Sequence, residues 1–434
     1  MDASIWQYNR EWVRDHSFMA LGLVLGGHHE LARVLLERLV ADFVSDDGDC
    51  IDSSVKREPE EVELDQNGEL LYVLKEYALW TGDLDLISKY WEKLKKTIEF
   101  PLKSLFRHEA SGLFYNTREF WERHSIHGIQ PGIELLYQVF PAIGLKSAAI
   151  LARLLTDNKQ AKIWEQQAIF IKNNVLNHPQ FALVNENGFI KRRNIDGSIQ
   201  ETITPLKESI PEGIPLAQDV PHYLNPDTGA ALPIALGFVL PESHVTRSTM
   251  EQLEQLWNQE WDIGGYGRYH KNSEADAPGP WPFPSLFIAR AAMETREFDK
   301  VWKILNWLNS IPGGDSGSWF EMYGQRIAPP YPQVGITPWT WGEMLTLCVN
   351  HILGIKVEEN HINFQPRLLP GIKKVQASFP LRNHRIYFDI MVDSEKTTTS
   401  FKADFKPIES RDNMIMIPYL DRDIKVEAVI PEPG

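Results

Sequence analysis

The chain reads as a mostly α-helical protein, a ring of helix pairs followed by a small β-module, and three observations predict it. Apolar residues recur at three-to-four spacing through the first four fifths of the sequence, the period of helices buried on one face. The helical runs come in twos, with a short polar connector inside each pair and a long loop rich in Gly, Pro, Trp, Asp and Glu between pairs. After about residue 356 the period falls to two, the period of strands.

The first run, His16 to Phe43, places Phe18, Leu21, Val24, Leu25, Leu31, Leu35, Leu36 and Leu39 on one stripe, and predicts a long helix kinked at Gly26-Gly27. Runs over 68–80 and 84–100 form a hairpin about Thr81-Gly82-Asp83, where Gly ends one helix and Asp caps the next. Further pairs are expected at 133–155 with 158–174, 228–239 with 244–258 and 283–294 with 297–309, and a last helix over 339–353. The loops 44–65, 107–131, 176–227, 260–282 and 310–338 are longer than helix connections in a compact domain need to be. Short connectors at one end and long loops at the other gather the loops at one mouth, which is where a site belongs. The alternating runs 362–364, 374–379, 385–392 and 397–401 make a β-module of residues 356–434 that covers one end of a helical domain of residues 1–355.

With 434 residues, 43% hydrophobic and 24% charged, the composition is that of a folded globule and excludes disorder and collagen-like repeats. A formal charge of -15 argues against a nucleic-acid or anionic-membrane partner, both of which need a concentrated positive field; a neutral small molecule fits better. Cys50 and Cys348 are the only cysteines, too few for a disulfide framework or a Cys-rich zinc site, and are expected to be reduced thiols in the cytoplasm. The 13 histidines show no ligand spacing, so neither metal nor other cofactor is expected. No segment approaches the roughly 18 apolar residues of a membrane span, and no basic, apolar leader precedes the first helix. The oligomeric state and the completeness of the N-terminus stay open at this stage.

The residues that carry chemistry sit in the loops and at helix starts. Glu11-Trp12-Val13-Arg14-Asp15 pairs hydroxyl-binding side chains with an indole that can cover the apolar face of a sugar ring, although an Arg-Asp pair there also serves as a helix cap or surface ion pair. Many of the 14 tryptophans lie in Gly/Pro-rich or polar stretches, as stacking on sugars requires. In Phe120-Trp121-Glu122-Arg123-His124 an acid beside an indole has its carboxyl pKa raised by desolvation, which suits a proton donor to a leaving oxygen; the alternative is an exposed Glu paired with Arg118 or Arg123. Glu321 in Gly317-Ser318-Trp319-Phe320-Glu321-Met322-Tyr323-Gly324 is again bracketed by aromatics and, ionised, could deprotonate a water. Two such carboxyls about 6.5 to 9.5 Å apart define an inverting glycosidase. Asp262 and Glu69 stand in motif-like settings, Glu343 reads as helix support, and Asp65 and Gln66 read as sugar contacts or caps of the helix that follows.

In this order the motifs resemble the glucoamylase-like glycoside hydrolases, inverting exo-acting α-glucosidases on an (α/α)6 barrel, or six-hairpin glycosidases. Four stations match over about residues 6–353: Trp12-Val13-Arg14-Asp15 at an early helix, Trp121-Glu122-Arg123 in a long loop, Gly279-Pro280-Trp281 before a helix, and Glu321 followed by Pro338-Trp339 to Glu343 entering the last one. The resemblance implies that Arg14 and Asp15 hold the hydroxyls of a terminal glucose, that Glu122 is the general acid and Glu321 the general base, and that Trp121, Trp281 and Trp319 line the pocket. Trp12 and Arg123 complete the implied substrate contacts. The chain departs from the family at Met322, often Gln there, and in starting inside the first hairpin, so that either the start is truncated or a different segment closes the ring. Debranching α-1,6-glucosidases, α-L-rhamnosidases and disaccharide phosphorylases share the barrel, and a non-catalytic carbohydrate-binding protein would use the same aromatics. The second carboxylate motif and the lack of a Gly-rich or basic phosphate loop count against a phosphorylase.

Overall fold

In a computed structural model, the structure describes residues 10–51, 56–205, 221–259, 264–273, 279–324 and 335–433. The helices among them are α1 (Val13–Leu25), α2 (His29–Asp42), α3 (Gln66–Thr81), α4 (Asp85–Glu99), α5 (Leu136–Leu154), α6 (Asn158–Asn177), α7 (Leu232–Ala235), α8 (His244–Leu253), α9 (Pro282–Thr295), α10 (Phe298–Ser310) and α11 (Pro338–Thr346). The single kinked helix expected over His16 to Phe43 is two helices. Gly27 turns the chain at φ +78° directly beneath the Pro380 ring, where a Cβ would come within 2.8 Å of proline carbons, so α1 stops and α2 returns. At the next connector Gly82 takes φ +72° and Asp83 accepts the Asp85 N–H at 2.9 Å, as the sequence pattern requires.

Two layers follow from the distribution of apolar residues. Helices α1, α3, α5 and α9 are buried on nearly every face, whereas α2, α4, α6 and α10 bury one stripe each. Among the inner helices α1 lies on α3, α3 on α5, α7 on α9, α9 on α11, and α11 back on α1. Leu136 at the start of α5 lies beside Gly229 in the turn that leads into α7, where a Cβ on the glycine would come within 2.9 Å of the leucine side chain. Small residues let the backbones meet: a Cβ on Gly22 would stand 2.7 Å from the Gly342 Cα, and one on Gly144 2.4 Å from the Gly68 Cα.

Short antiparallel pairs stiffen the long loops. They are β1 (Gly132–Glu134) with β4 (Arg192–Asn194), β2 (Val184–Asn185) with β3 (Gly188–Phe189), and β5 (Thr202–Ile203) with β6 (His222–Tyr223). The C-terminal region continues with β7 (Ile355–Val357), β8 (His361–Phe364), β9 (Lys374–Leu381), β10 (His384–Val392), β11 (Ser400–Ala403), β12 (Lys406–Ile408), β13 (Ile415–Pro418) and β14 (Ile424–Ile430). They form two sheets in the orders β12-β11-β14-β10-β9 and β13-β8-β7. Only the pairing of β10 with β14 is parallel among the described strands. The expected β-module includes the stretch after β11 without placing strands in it; β12 and β13 are three and four residues long, too short to display a period, whereas β14 alternates over seven residues.

These sheets meet the helices at the short-connector end. Phe379 packs edge-on to Trp80, Arg382 lies over Gly82, Arg153 pairs with Glu359, and the Trp302 indole donates to the Pro370 carbonyl at 2.9 Å. The N-terminal ends of α1, α9 and α11 face the other way, toward the long loops, and the cavity described next is built there. No helix among the described residues is long and apolar enough to cross a membrane.

Candidate active site

A cavity of about 350 Å³ opens at the end of the inner helices that carries the long loops. Its walls come from the start of α1 (Trp12, Arg14, Asp15), the loop between α4 and α5 (Trp121, Glu122, Arg123, His127), β5 and β6 (Ile203, His222), the stretch Arg268, Tyr269 and Ser273, the start of α9 (Trp281, Phe283), the last long loop (Glu321) and the start of α11 (Trp339). Residues as far apart in sequence as Trp12 and Trp339 thus converge because three inner helices begin at the same mouth. Of the residues to which the resemblance assigns an acid, base or substrate-contact role, Trp12, Arg14, Asp15, Trp121, Glu122, Arg123, Trp281 and Glu321 line the cavity and Trp319 does not. That indole is buried and donates to the Leu308 carbonyl at 2.9 Å, so it braces the loop of Glu321 instead of lining the pocket.

The α1 start is organised by charge. Neither Arg14 nor Asp15 caps the helix, which has no side-chain cap. Arg14 is buried and donates Nε to Asp65 Oδ2 at 2.8 Å and Nη2 to Glu63 Oε2 at 3.0 Å, while Nη1 lies 3.5 Å from Glu122 Oε1. Asp65 and Gln66 are themselves buried, binding Arg14 and Glu63, and do not reach the cavity. Burial pushes the Asp15 carboxyl up to about 7, with Glu122, Glu63 and Asp65 adding to the rise and Arg14 opposing it. Behind them Glu69 is buried with both carboxylate oxygens lacking a protein partner, and desolvation followed by the charge of Asp65 holds its pKa well above the usual range.

Glu122 sits at φ +69°, a left-handed conformation that costs a non-glycine residue roughly 1–3 kcal/mol and persists only where the surroundings impose it. They do so here. Glu122 N–H donates to the Glu119 carbonyl at 2.8 Å, and the Arg123 carbonyl accepts the Glu119 N–H at 3.0 Å. Arg192 from β4 donates Nη1 to the Arg118 carbonyl at 3.0 Å and Nη2 to the carbonyls of Asn116 and Gln130. Lys191 joins Glu119 at 2.6 Å to Asp227 at 2.7 Å, and both Asp227 oxygens accept the Trp121 indole N–H at 3.0 Å. Burial works to raise Glu119, but the cations of Arg123 and Lys191 outweigh it and hold the carboxyl far below its ordinary value.

The Glu122 carboxyl itself is raised, first by loss of water and then by the charge of Glu63, against Arg14 and Arg118. Its side chain keeps 40% of its surface open to the cavity, so water offsets part of this until a ligand covers the mouth. Its cationic neighbours are Arg14 and Arg118, at 3.5 and 3.7 Å; Arg123, the other partner considered from sequence, turns instead to Glu119.

Glu321 reaches the same cavity from the opposite side of the sequence. Its loop is pinned by Tyr323, whose hydroxyl donates to the Pro312 carbonyl at 2.7 Å and accepts the Phe320 N–H at 3.2 Å, and whose own N–H donates to the Pro280 carbonyl at 3.0 Å. Trp341 in α11 donates its indole N–H to the Gly317 carbonyl. Glu343 is fully buried and paired with Arg290 at 2.7 Å, the supporting role its helical setting suggests. Asp262 lies outside the described residues.

Several wall and support residues were not found by sequence reasoning: Glu63, Lys191, Asp227, Arg268, Tyr269, His222 and Trp339. Arg268 stacks 4.0 Å over Trp281 and 4.7 Å over Tyr269. Only Trp339 carried a local signal, the Pro338-Trp339 helix start; the rest are brought together by chain topology. Among the described residues no cluster of His, Cys, Asp and Glu could hold a metal ion. What the arrangement can do is hold a neutral polyol between indoles, ligate its hydroxyls with Arg14 and Asp15, and present two carboxyls to it.

No family model matches the chain. An uncharacterised glycosyl hydrolase of Methanocaldococcus jannaschii is 23% identical over 286 residues, 65% of this chain and 39% of the relative, so the chain spans about two fifths of that protein's length. Among solved structures, a glycosidase superposes over 80% of this chain and 90% of its own with TM-score 0.56 and 16% identity. A bacterial glucoamylase complexed with acarbose matches over 79% and 49% with TM-score 0.59 and 16% identity. The chain shares the fold of the glucoamylase-like glycosidases. A family 78 rhamnosidase of a Bacillus species also matches, over 88% and 38% with TM-score 0.55 and 14% identity, so the shared fold spans more than one sugar specificity. The glycosidase of the first match has also been solved as a glutamate-to-alanine variant in complex with glucose.

Proposed function

We propose that the chain is an inverting, exo-acting glycoside hydrolase that releases glucose from α-linked gluco-oligosaccharides or glucosides. The observation that carries this is the convergence of Glu122, Glu321, Arg14, Asp15 and the indoles of Trp12, Trp121 and Trp281 on one cavity of about 350 Å³, room for a terminal sugar and its neighbour. The ring of inner helices is read as an (α/α)6 toroid whose mouth is that cavity. Arg14 and Asp15 hold the hydroxyls of the non-reducing sugar, and the indoles cover its apolar faces. Glu122, kept protonated, gives its proton to the glycosidic oxygen as the bond to the anomeric carbon breaks. Glu321 takes a proton from a water that attacks the same carbon from the opposite face, so the configuration inverts. No step asks for a metal or other cofactor, and soluble sugars of the cytoplasm are the expected substrates.

A second reading, an α-L-rhamnosidase with the same two carboxyls, is favoured by the rhamnosidase match over 88% of the chain. One experiment separates them. The protein is incubated with a panel of α-linked gluco-oligosaccharides and α-L-rhamnosides while the released anomer is followed by NMR. β-Glucose is the expected first product. Release of rhamnose alone selects the second reading, α-glucose overturns the single displacement, and no release from any sugar reduces the site to carbohydrate binding.

A further inference from the structure

Taking Glu122 as the acid, we propose that Glu63 is a positioning residue that keeps Arg14 and Arg118 engaged below Glu122, so that Glu122 retains the proton it delivers. The Glu63 carboxylate is almost fully buried and lies under the cavity floor, outside its walls. Its Oε1 accepts Arg118 Nε at 2.7 Å and faces Arg57 Nη2 at 3.2 Å; its Oε2 accepts Arg14 Nη2 at 3.0 Å and the Gln66 amide. Arg14 and Arg118 each point one further nitrogen at Glu122, but at 3.5 and 3.7 Å, beyond the 2.7–2.9 Å or so of a charge-assisted bond. Two carboxylates thus share two guanidinium groups, and Glu63 has the closer hold.

That division decides the chemistry. A carboxyl tightly paired with two arginines loses its proton far below neutrality and cannot act as an acid where the enzyme works. Glu122 is faced by Arg14 and Asp15 from α1, by Arg57 and Glu63 from the segment before α3, and by Arg118 from its own loop. Asp65 and Glu69 lie behind Arg14, and Glu321, Arg268 and His127 stand on other walls of the cavity. Among these, Glu63 is the anion in contact with both arginines that reach Glu122. Removing it deletes a charge that disfavours the Glu122 carboxylate and releases two cations that favour it, so both consequences lower the acid's proton affinity. Removing Arg57, which touches Glu63 from its outer side, deletes a cation instead and acts in the opposite sense.

The test uses the whole chain with 13C-carboxyl glutamate, the Glu122 resonance being assigned by its loss in Glu122→Gln. Glu63→Gln is expected to move the Glu122 titration to lower pH and to pull the alkaline limb of turnover down with it, with roughly tenfold less turnover above neutrality. Arg57→Gln is expected to move both upward. Shifts of the same sign in the two variants, or an unmoved Glu122 resonance in a folded Glu63→Gln protein, overturn the proposal. Should Glu63→Gln fail to fold, the partly exposed Arg57 position decides alone, and an Arg57→Gln titration that does not rise overturns it. A resonance that moves while the turnover profile does not leaves the electrostatic coupling standing and removes Glu122 as the acid.

Discussion

The two loops that carry the carboxyls are held in different ways. The Glu122 loop is fastened by buried ions: Glu119 with Arg123 and Lys191, Lys191 with Asp227, Glu63 with Arg14 and Arg118. Among the described residues of the Glu321 loop, neutral donors on main-chain carbonyls fasten the chain: the Trp319 and Trp341 indoles and the Tyr323 hydroxyl. An acid needs a tuned proton affinity, and fixed charges nearby supply it. The proposed base needs position, and aromatic anchors give position without adding charge. The difference predicts that the first loop is sensitive to pH and to charge substitutions, and the second is not.

The largest effects fall on the carboxyls themselves. Glu122→Gln and Glu321→Gln should each lower turnover of oligosaccharides by about 10²–10⁴-fold while sugar binding and thermal unfolding stay near those of the parent. They should then part ways on glucosides whose leaving group is an acidic phenol, which departs without a proton: Glu122→Gln recovers much of its rate there and Glu321→Gln does not. Turnover like the parent's in either variant takes that residue out of the mechanism.

Next in size is Lys191→Met. It leaves Glu119 and Asp227 buried without the cation they share, and Glu134, already pushed up to about 7 mainly by burial, loses the Lys191 ammonium at 3.8 Å, which opposes that rise more than Arg192 does. Breaking such a cluster from one side costs about 3–5 kcal/mol. The deficit should be greatest at neutral pH and shrink toward pH 4, where the stranded carboxyls can take up protons. Urea unfolding at several pH values measures this, and a loss independent of pH would mean that the cluster is not held by charge.

Local sequence carries much of this arrangement, and long-range topology carries the rest. The helical pairs show in the sequence because each inner helix is apolar all round and each outer one on a stripe, a periodic signal. Trp12, Arg14, Asp15, Trp121, Glu122, Trp281 and Glu321 stood out because aromatic residues beside acids in loops have no account in core stability. Trp319 has the same local look, yet its side chain turns inward to the Leu308 carbonyl; neighbours in sequence cannot say which way an indole faces. Glu63 and Lys191 lie in stretches with no motif. Their importance comes from partners such as Arg118 and Asp227, 55 and 36 positions away, and no local pattern encodes that distance.

A smaller effect separates the loops by its pH profile. Asp15 has a folded pKa of about 7 against about 3.9 in an unfolded chain, so the folded state binds the extra proton between those values and loses stability as pH rises through them. Asp15→Asn should therefore be more stable than the parent above pH 7, by on the order of 1 kcal/mol or more, with the gain vanishing below about pH 4. It should also weaken sugar binding, since the hydroxyl ligand is altered. A gain that persists unchanged at pH 4 would assign the effect to shape instead of charge.

The smallest prediction tests the neutral loop. Tyr323→Phe removes a hydroxyl that is buried between the Pro312 carbonyl and the Phe320 N–H. The ring still fills its place against Trp307 and Phe320, so little apolar contact is lost. What remains is one carbonyl and one amide without their partner, a cost of about 1–2 kcal/mol. Among the described residues no ionised group bonds the phenol, so the loss should be flat from pH 4 to 8, where Lys191→Met varies. Turnover should fall only modestly, because the Tyr323 N–H still holds the Pro280 carbonyl and Trp319 still anchors the loop two residues before Glu321. A Tyr323→Phe stability loss that tracked pH as steeply as that of Lys191→Met would place a charge in the second loop and remove the contrast between the two.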